Sequence, residues 1–298
     1  MIGVIGAGVM GCGLAQNLAE HGYEVALIDQ NAEILRDAKD RIARNLRLGN
    51  LLYPKPGRDF QDISDRIHGY VSCLVLKDAD VVVENVPEKW EVKKGVYEEL
   101  SRICKETCMF LVNTSCISIT RIATLVKKPE RVIGVHFMNP VPLKHTVEVI
   151  RGYHTSDGTL EATMEFLKTI EKDGIVVNDL PGFVSNRISH LFMNEAAWVV
   201  QDQVAEPKDV DDIFKKCFGH TMGPLETADF IGLDVVLDSL NILYESYKDD
   251  KFRPCPLLCK MVHAGLTGVK GGKGFYEYSG KEKQKNGRDK GKNQGISG

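Results

Sequence analysis

His136 and Glu148, twelve positions apart, are the pair in this chain best suited to moving a proton. A neutral imidazole accepts a proton near neutral pH, and a carboxylate on its other ring nitrogen fixes the tautomer and stabilises the charged form. The flanking residues indicate how the pair is carried. Val132 to Val135 is a mostly β-branched run that delivers His136 to the end of a strand. Asn139-Pro140-Val141-Pro142 then breaks the backbone, because two prolines forbid helix and deny a central strand its donors. Thr146 to Ile150 resumes an apolar alternation and places Glu148 on a neighbouring stretch. A structural histidine beside a solvated glutamate is the plain alternative, and the rest of the chain weighs against it.

A second constellation lies at the start. Ile2 to Ile5 reads as a short buried strand running into Gly6-Ala7-Gly8-Val9-Met10-Gly11. Helical spacing follows from Leu14 to Ala19, with Gly22 as a stop, and Glu24 to Ile28 is a second strand closing on Asp29. In a chain with 28 glycines a G-x-G-x-x-G match alone is weak evidence. Set between a strand and a helix, with an acid ending the next strand, it has the context of a dinucleotide-binding turn. Gly6 permits the tight turn, Gly8 lets backbone approach a pyrophosphate, and Gly11 lets helix and strand pack closely. Val9 and Met10 open the helix whose N–H groups face the phosphates. Asp29 accepts hydrogen bonds from ribose hydroxyls and repels a 2′-phosphate, so the expected cofactor is NAD rather than NADP.

The elements that must position these residues alternate. Strand material at 74–76, 79–84, 109–112, 132–135 and 174–178 is interleaved with helical spacing over 31–48, 92–105, from Ser118, and 158–172, while 49–66 reads as a loop with short helical pieces. That alternation implies an α/β fold, a Rossmann-like and mostly parallel sheet whose ligands gather beyond the carboxyl ends of the strands. Glu88, Ser115 and His136 each follow a strand and can share one crevice with Gly8. After Leu180-Pro-Gly-Phe183 the strand signals stop. Helical stretches at 184–201, 210–217, 227–247 and 256–264 lead to a terminal strand or extended piece at 271–278. The expected organisation is a nucleotide-binding domain over 1–180, an all-helical C-terminal domain over 181–278, and a basic, disordered tail over 279–298.

Composition excludes several classes. A 298-residue chain with 43% hydrophobic and 27% charged residues has the make-up of a soluble globular protein. A net charge of −3 argues against a nucleic-acid or anionic-membrane binder, and no apolar run approaches a membrane span. The chain begins directly in a strand, without the pattern of an export signal. Its eight cysteines lie mostly in apolar patterns, and the two C-x3-C pairs lack a histidine or third cysteine to complete a zinc set. No metal is expected, the thiols read as reduced, and the expected location is cytoplasmic.

Taken together, Gly6-x-Gly-x-x-Gly, Asn113-Thr-Ser115, His136-Phe-Met-Asn139-Pro, Glu148, Pro181-Gly-Phe-Val-Ser-Asn186-Arg, Gly223-Pro-Leu-Glu-Thr-Ala-Asp-Phe-Ile-Gly-Leu-Asp234 and Gly271-Gly-Lys-Gly-Phe-Tyr276 resemble the L-3-hydroxyacyl-CoA dehydrogenase family, especially its short bacterial 3-hydroxybutyryl-CoA members. The resemblance extends to about Tyr278. It implies that His136 is the base taking the hydroxyl proton and that Glu148 pairs with it. It gives Ser115 and Asn186 the task of binding the substrate oxygen or orienting the nicotinamide, and sets Glu88, Asn113 and Asn139 near the cofactor. It further implies a homodimer formed through the helical domain and an acyl-CoA thioester substrate.

Three departures keep alternatives open: Cys116 stands where many relatives have a second serine, Pro142 to Thr146 is more polar than usual, and loop 49–66, with Pro54 and Pro56, differs in the region where the family binds the CoA portion. If Lys144, His145 or Thr146 lines the acyl channel, a short or hydroxylated acyl group suits it; otherwise these are exposed loop residues. The second substrate reading is a hydroxyacyl group, such as a glyceryl unit, on an acyl carrier protein of a polyketide pathway, an acidic partner that a basic tail would suit. A reading from another class, a non-catalytic NAD-binding scaffold, is opposed by the intact set Ser115, His136, Glu148 and Asn186.

Overall fold

The structure, a computed structural model, describes residues 1–52 and 60–278. The chain divides into two compact units, Met1–Phe183 and the residues from Val184 onward.

The first unit runs β1 (Ile2–Ile5), α1 (Val9–Glu20), β2 (Val25–Ile28), α2 (Ala32–Leu52), α3 (Phe60–Asp65), β3 (Ile67–Tyr70), β4 (Val81–Glu84), α4 (Trp90–Ile103), β5 (Met109–Val112), α5 (Ile119–Ala123), β6 (Val132–His136), β7 (Thr146–Arg151), α6 (Asp157–Thr169) and β8 (Asp173–Asn178). The strands form one eight-stranded sheet in the order β3-β2-β1-β4-β5-β6-β7-β8. Pairing is parallel throughout except between β6 and β7, which are antiparallel.

The central strands are short apolar runs because both of their faces are covered. Successive residues feed opposite sides: Val4, Leu27, Val83 and Leu111 join one core with Leu14, Ile42 and Phe166, from α1, α2 and α6. Ile5, Ile28, Val82 and Phe110 join the other with Tyr97 and Ile122, from α4 and α5. Helices on both faces leave the carboxyl ends of β1, β4, β5 and β6 as the edge where loops gather, which is where a doubly wound sheet binds ligands.

Two expectations are corrected here. Residues 74–76 are not a strand but part of a 3₁₀ turn, Cys73–Asp78, capped by Ser72, whose hydroxyl accepts from the Leu74 N–H. Leu74 is exposed while Leu76 is buried, so an apolar triplet served a turn. The strand instead is β3, at the sheet edge, where only Ile67 is buried and His68 and Gly69 are exposed. An edge strand covered this lightly carries little apolar alternation. The expected loop 49–66 also gives way in part to helix, since α2 continues to Leu52 and α3 spans Phe60–Asp65. Residues 53–59 and the basic tail at 279–298 lie outside the described residues.

The second unit consists of α7 (Ser185–Gln201), α8 (Pro207–Phe218), α9 (Pro224–Ile231), α10 (Leu233–Tyr247) and α11 (Pro256–His263), with no strand among its described residues. The helix expected over 227–247 is two helices. They meet at Gly232, whose φ of 109° is in the region that favours glycine, and whose N–H closes α9 on the Ala228 carbonyl. Residues 271–278 make tight turns and isolated bridges rather than a strand. Two buried carboxylates hold this segment. Asp229 accepts from the Phe275 and Tyr276 N–H groups, both at 3.0 Å, and from the Tyr278 hydroxyl at 2.9 Å. Asp211 accepts from the Leu225 and Glu226 N–H groups and from the Tyr276 hydroxyl. Burial pushes the Asp229 carboxyl above its ordinary range, against the pull of its three donors.

Candidate active site

His136 is the last residue of β6, and the antiparallel register sets it directly opposite Glu148 of β7. Opposed residues in such a pair project from the same face. The result is a contact of 2.8 Å between His136 Nδ1 and Glu148 Oε2, with both residues only 8% exposed. On the other side of the ring, Ser115 Oγ lies 3.3 Å from Nε2. With Nδ1–H donated to the carboxylate, Nε2 presents its lone pair toward the serine side. Ser115, His136 and Glu148 therefore form one line: a hydroxyl that can hold a reacting oxygen, a base, and a carboxylate that stabilises the base once it is charged. The Phe183 ring packs 6.1 Å from the imidazole, centroid to centroid.

The glycine turn sits beyond β1 on the same edge of the sheet. Gly6 has a φ of 90°, and a Cβ there would meet the Asn85 carbonyl. A Cβ on Gly11 would lie 1.8 Å from the Gly6 carbonyl oxygen, so α1 packs on the turn only without a side chain there. Gly8 differs: it is the exposed N-cap of α1, and a Cβ would meet no protein atom. The protein's own packing does not demand glycine at that point, whereas a phosphate approaching the backbone does. Val9 is 58% exposed, Met10 is half-buried, and the first turn of α1 carries no acidic residue to oppose an anion. Asp29, the residue after β2, is half-buried, its Oδ2 accepting from the Ala7 N–H at 2.9 Å. A dinucleotide fits these residues: phosphates at the helix end and ribose hydroxyls at Asp29.

Residues 1–180 match the NAD binding domain of 3-hydroxyacyl-CoA dehydrogenase, and residues 182–278 match its C-terminal domain. The chain belongs to the 3-hydroxyacyl-CoA dehydrogenase family. Its cofactor is NAD. A probable 3-hydroxybutyryl-CoA dehydrogenase of Deinococcus radiodurans is 45% identical over 277 residues, spanning 93% of this chain and 99% of that one. The mitochondrial hydroxyacyl-coenzyme A dehydrogenase of Sus scrofa is 35% identical over 282 residues, with 92% and 90% covered. Among solved structures, the (S)-3-hydroxybutyryl-CoA dehydrogenase of Ralstonia eutropha superposes with a TM-score of 0.89 at 37% identity, covering 93% of this chain and 98% of that one.

In this dehydrogenase the remaining sequence candidates are placed as follows. Glu88, expected beside the cofactor, commits Oε1 to the loop after β5, accepting from the N–H groups of Ser115 (3.0 Å), Cys116 (2.9 Å) and Ile117 (3.1 Å) and from the Thr114 hydroxyl. It thereby shapes the loop that presents Ser115. Asn113 accepts from the Phe137 N–H at 3.2 Å and donates to Asn85 at 2.7 Å, tying the ends of β5 and β6 together. Asn139, Lys144 and His145 are exposed between β6 and β7, and Thr146 is exposed as the first residue of β7. Cys116 is buried, and its N–H serves the Glu88 contact. Asn186 belongs to the second unit, half-buried in the first turn of α7, with its backbone oxygen 2.9 Å from His190 Nδ1. Among the described residues no three His, Cys, Asp or Glu side chains converge as a metal site, and no helix is long and apolar enough to cross a membrane.

Sequence reasoning missed Lys93. This lysine is wholly buried, with Nζ 2.8 Å from both oxygens of Glu84, 3.1 Å from the Asn113 carbonyl and 3.7 Å from Glu88 Oε2. Burial pushes the Glu84 carboxyl up, and the Lys93 ammonium opposes that shift. A signal was present in the sequence: Lys93 falls on the same stripe of α4 as the buried Tyr97 and Leu100. A lysine at a core position is rarely there without a partner.

Proposed function

We propose that this dehydrogenase oxidises the 3-hydroxyl of a short-chain 3-hydroxyacyl-CoA to the 3-keto thioester, reversibly. The observation that carries the reading is the β6–β7 register, which aligns His136 with Glu148 and leaves Nε2 facing Ser115. NAD+, when bound, supplies the hydride acceptor. His136 Nε2 takes the hydroxyl proton as C3 is oxidised. Ser115 Oγ holds the same oxygen, and Glu148 stabilises the imidazolium that forms. In the reductive direction the imidazolium returns the proton to the oxygen at C3. The role we give Asn186, orienting that oxygen, rests on its place in the P-G-F-x-x-N-R motif.

CoA as the carrier and a short acyl group are supported by the relatives named for 3-hydroxybutyryl-CoA, four of which are 39–45% identical. A homodimer through the helical unit is supported by apolar side chains exposed on it, among them Ile188, Phe218 and Phe230, each more than 60% exposed. A cytoplasmic location is supported by the eight cysteines, all of which are free thiols.

The test is loss of NADH absorbance with acetoacetyl-CoA at neutral pH, run beside His136→Ala. Rapid NADH oxidation by the wild type and a loss of about 10²–10⁴-fold in the variant are expected. Bound NADH without turnover of acetoacetyl-CoA would overturn the CoA reading, and near-normal turnover by His136→Ala would overturn the base assignment.

A further inference from the structure

We propose that Cys104 and Cys108 form a redox-active dithiol, in which Cys104 reduces a small hydroperoxide and Cys108 closes the disulfide. The pair stands at the amino end of β5, on the edge of the sheet opposite the strand end that carries His136, so its chemistry is separate from the dehydrogenation. Fixed backbone presents both thiols. Cys104 caps the C-terminus of α4, its N–H donating to the Leu100 carbonyl at 2.9 Å. Lys105 donates its N–H to the Lys77 carbonyl at 3.2 Å and accepts at its own carbonyl from the Cys108 N–H at 3.0 Å, closing a turn that folds Cys108 back toward Cys104. Both sulfurs belong to the core that holds Tyr97 and Phe110, and Cys108 is only 1% exposed. The Cys108 thiol has two acceptors in reach, the Cys104 sulfur and, at 3.6 Å, the Met109 carbonyl.

The two thiols are unequal. Cys104 is half-buried and lines a surface cleft of about 20 Å³, with Ser101, Glu106 and the three lysines 105, 127 and 128 around it. That is room for a molecule about the size of water. The hydrogen bond from Cys108 holds the Cys104 thiol below its ordinary range, against the opposing effect of burial. A partly exposed thiol of this kind, set among cations, reacts as the thiolate. Cys108 is pushed up, first by donating that bond and then by burial, so it keeps its proton until Cys104 has reacted. Cys73, in the same core, is pushed up to about 11 by burial and stays a thiol. In the first step the Cys104 thiolate attacks one oxygen of the hydroperoxide. The S–O bond forms, the O–O bond breaks, and the departing oxygen takes up the proton that Cys104 released, leaving a sulfenic acid. In the second step the Cys108 sulfur attacks the Cys104 sulfur. The S–S bond forms, the S–O bond breaks, and hydroxide leaves with the Cys108 proton as water. Two electrons pass from the two sulfurs to the peroxide.

Hydrogen peroxide is the probe, and the exposed Cys217, in the last turn of α8, is the internal reference. The reduced full-length protein is treated with equimolar peroxide and quenched over a time course. Remaining thiols are alkylated after unfolding, and the peptides are mapped by mass spectrometry. The expected product is a bridge between Cys104 and Cys108 with the loss of two hydrogens, reversed by dithiothreitol, and formed about tenfold or more faster than Cys217 is oxidised. In Cys108→Ser, Cys104 should gain oxygen and form no bridge; in Cys104→Ser, Cys108 should remain a thiol. The wild-type map decides the matter even if a variant fails to fold. Cys104 and Cys108 both still open to alkylation once Cys217 is oxidised would overturn the proposal. So would a bridge from Cys104 to Cys73, or Cys104 carried on to the sulfinic acid in the wild type with Cys108 still reduced. None of these outcomes depends on turnover of acetoacetyl-CoA, so the functional reading and the dithiol stand or fall separately.

Discussion

Glu148→Gln isolates the charge of the carboxylate from its shape. The amide fills the same volume, and its oxygen can still accept from His136 Nδ1–H, so the tautomer that leaves Nε2 as the base survives. What disappears is the attraction between carboxylate and imidazolium once the proton has arrived. With Nδ1 and Oε2 2.8 Å apart, the formal charge centres are about 4 Å apart, and such a pair is worth about 4 kcal/mol at an effective dielectric of 20 and about 1 kcal/mol in water. Both residues are only 8% exposed, which places the pair nearer the first limit. Allowing for the dipole that the amide retains, a net loss of about 2–3 kcal/mol is expected, roughly 30- to 150-fold. Because the imidazolium exists only after proton transfer, the loss should fall on kcat and leave KM for the thioester within about threefold. Initial rates of NAD+ reduction with 3-hydroxybutyryl-CoA, the direction in which His136 gains the proton, measure both. A kcat within about threefold of wild type would refute the reasoning, since it would mean that no charge on His136 develops in the limiting step.

Two further outcomes follow from the same geometry. Gly11→Ala puts a methyl 1.8 Å from the Gly6 carbonyl oxygen, so α1 must retreat from the turn; a stability loss of about 1–3 kcal/mol and loss of NADH binding are expected, and a fluorescence titration with unchanged affinity would contradict this. Asp229, held above its ordinary range by burial, binds a proton more tightly folded than unfolded. Its contribution is therefore fully present below the unfolded value of about 4 and is lost as pH rises through the raised native value. Urea unfolding of wild type and Asp229→Asn should show the wild type's relative stability falling across that window, and a rising difference would be inconsistent with the shift.

Much of this protein was legible locally. The apolar runs at β1, β2, β4, β5 and β6 announce doubly covered strands, and the glycines at 6, 8 and 11 announce a close backbone approach, because burial and turn chemistry leave their mark on neighbouring residues. The helical second half was visible for the same reason. The signals failed where covering is light or partners are distant. β3 is an edge strand with one buried residue, residues 74–76 spend their apolar character on a turn, and Gly232 splits what periodicity alone runs together.

By itself, then, the sequence determined the class of fold, the dinucleotide turn, and the histidine and glutamate as candidates for proton transfer. Only the tertiary structure decided that β7 runs antiparallel to β6 in the register that opposes those two residues. It alone turned Glu88 toward the Ser115 loop and buried Lys93 against Glu84, the Asn113 carbonyl and Glu88. The physical reason is that strand and helix patterns report each residue's own exposure. Register, and the meeting of charges from different segments, are set by the packing of residues far apart in the chain.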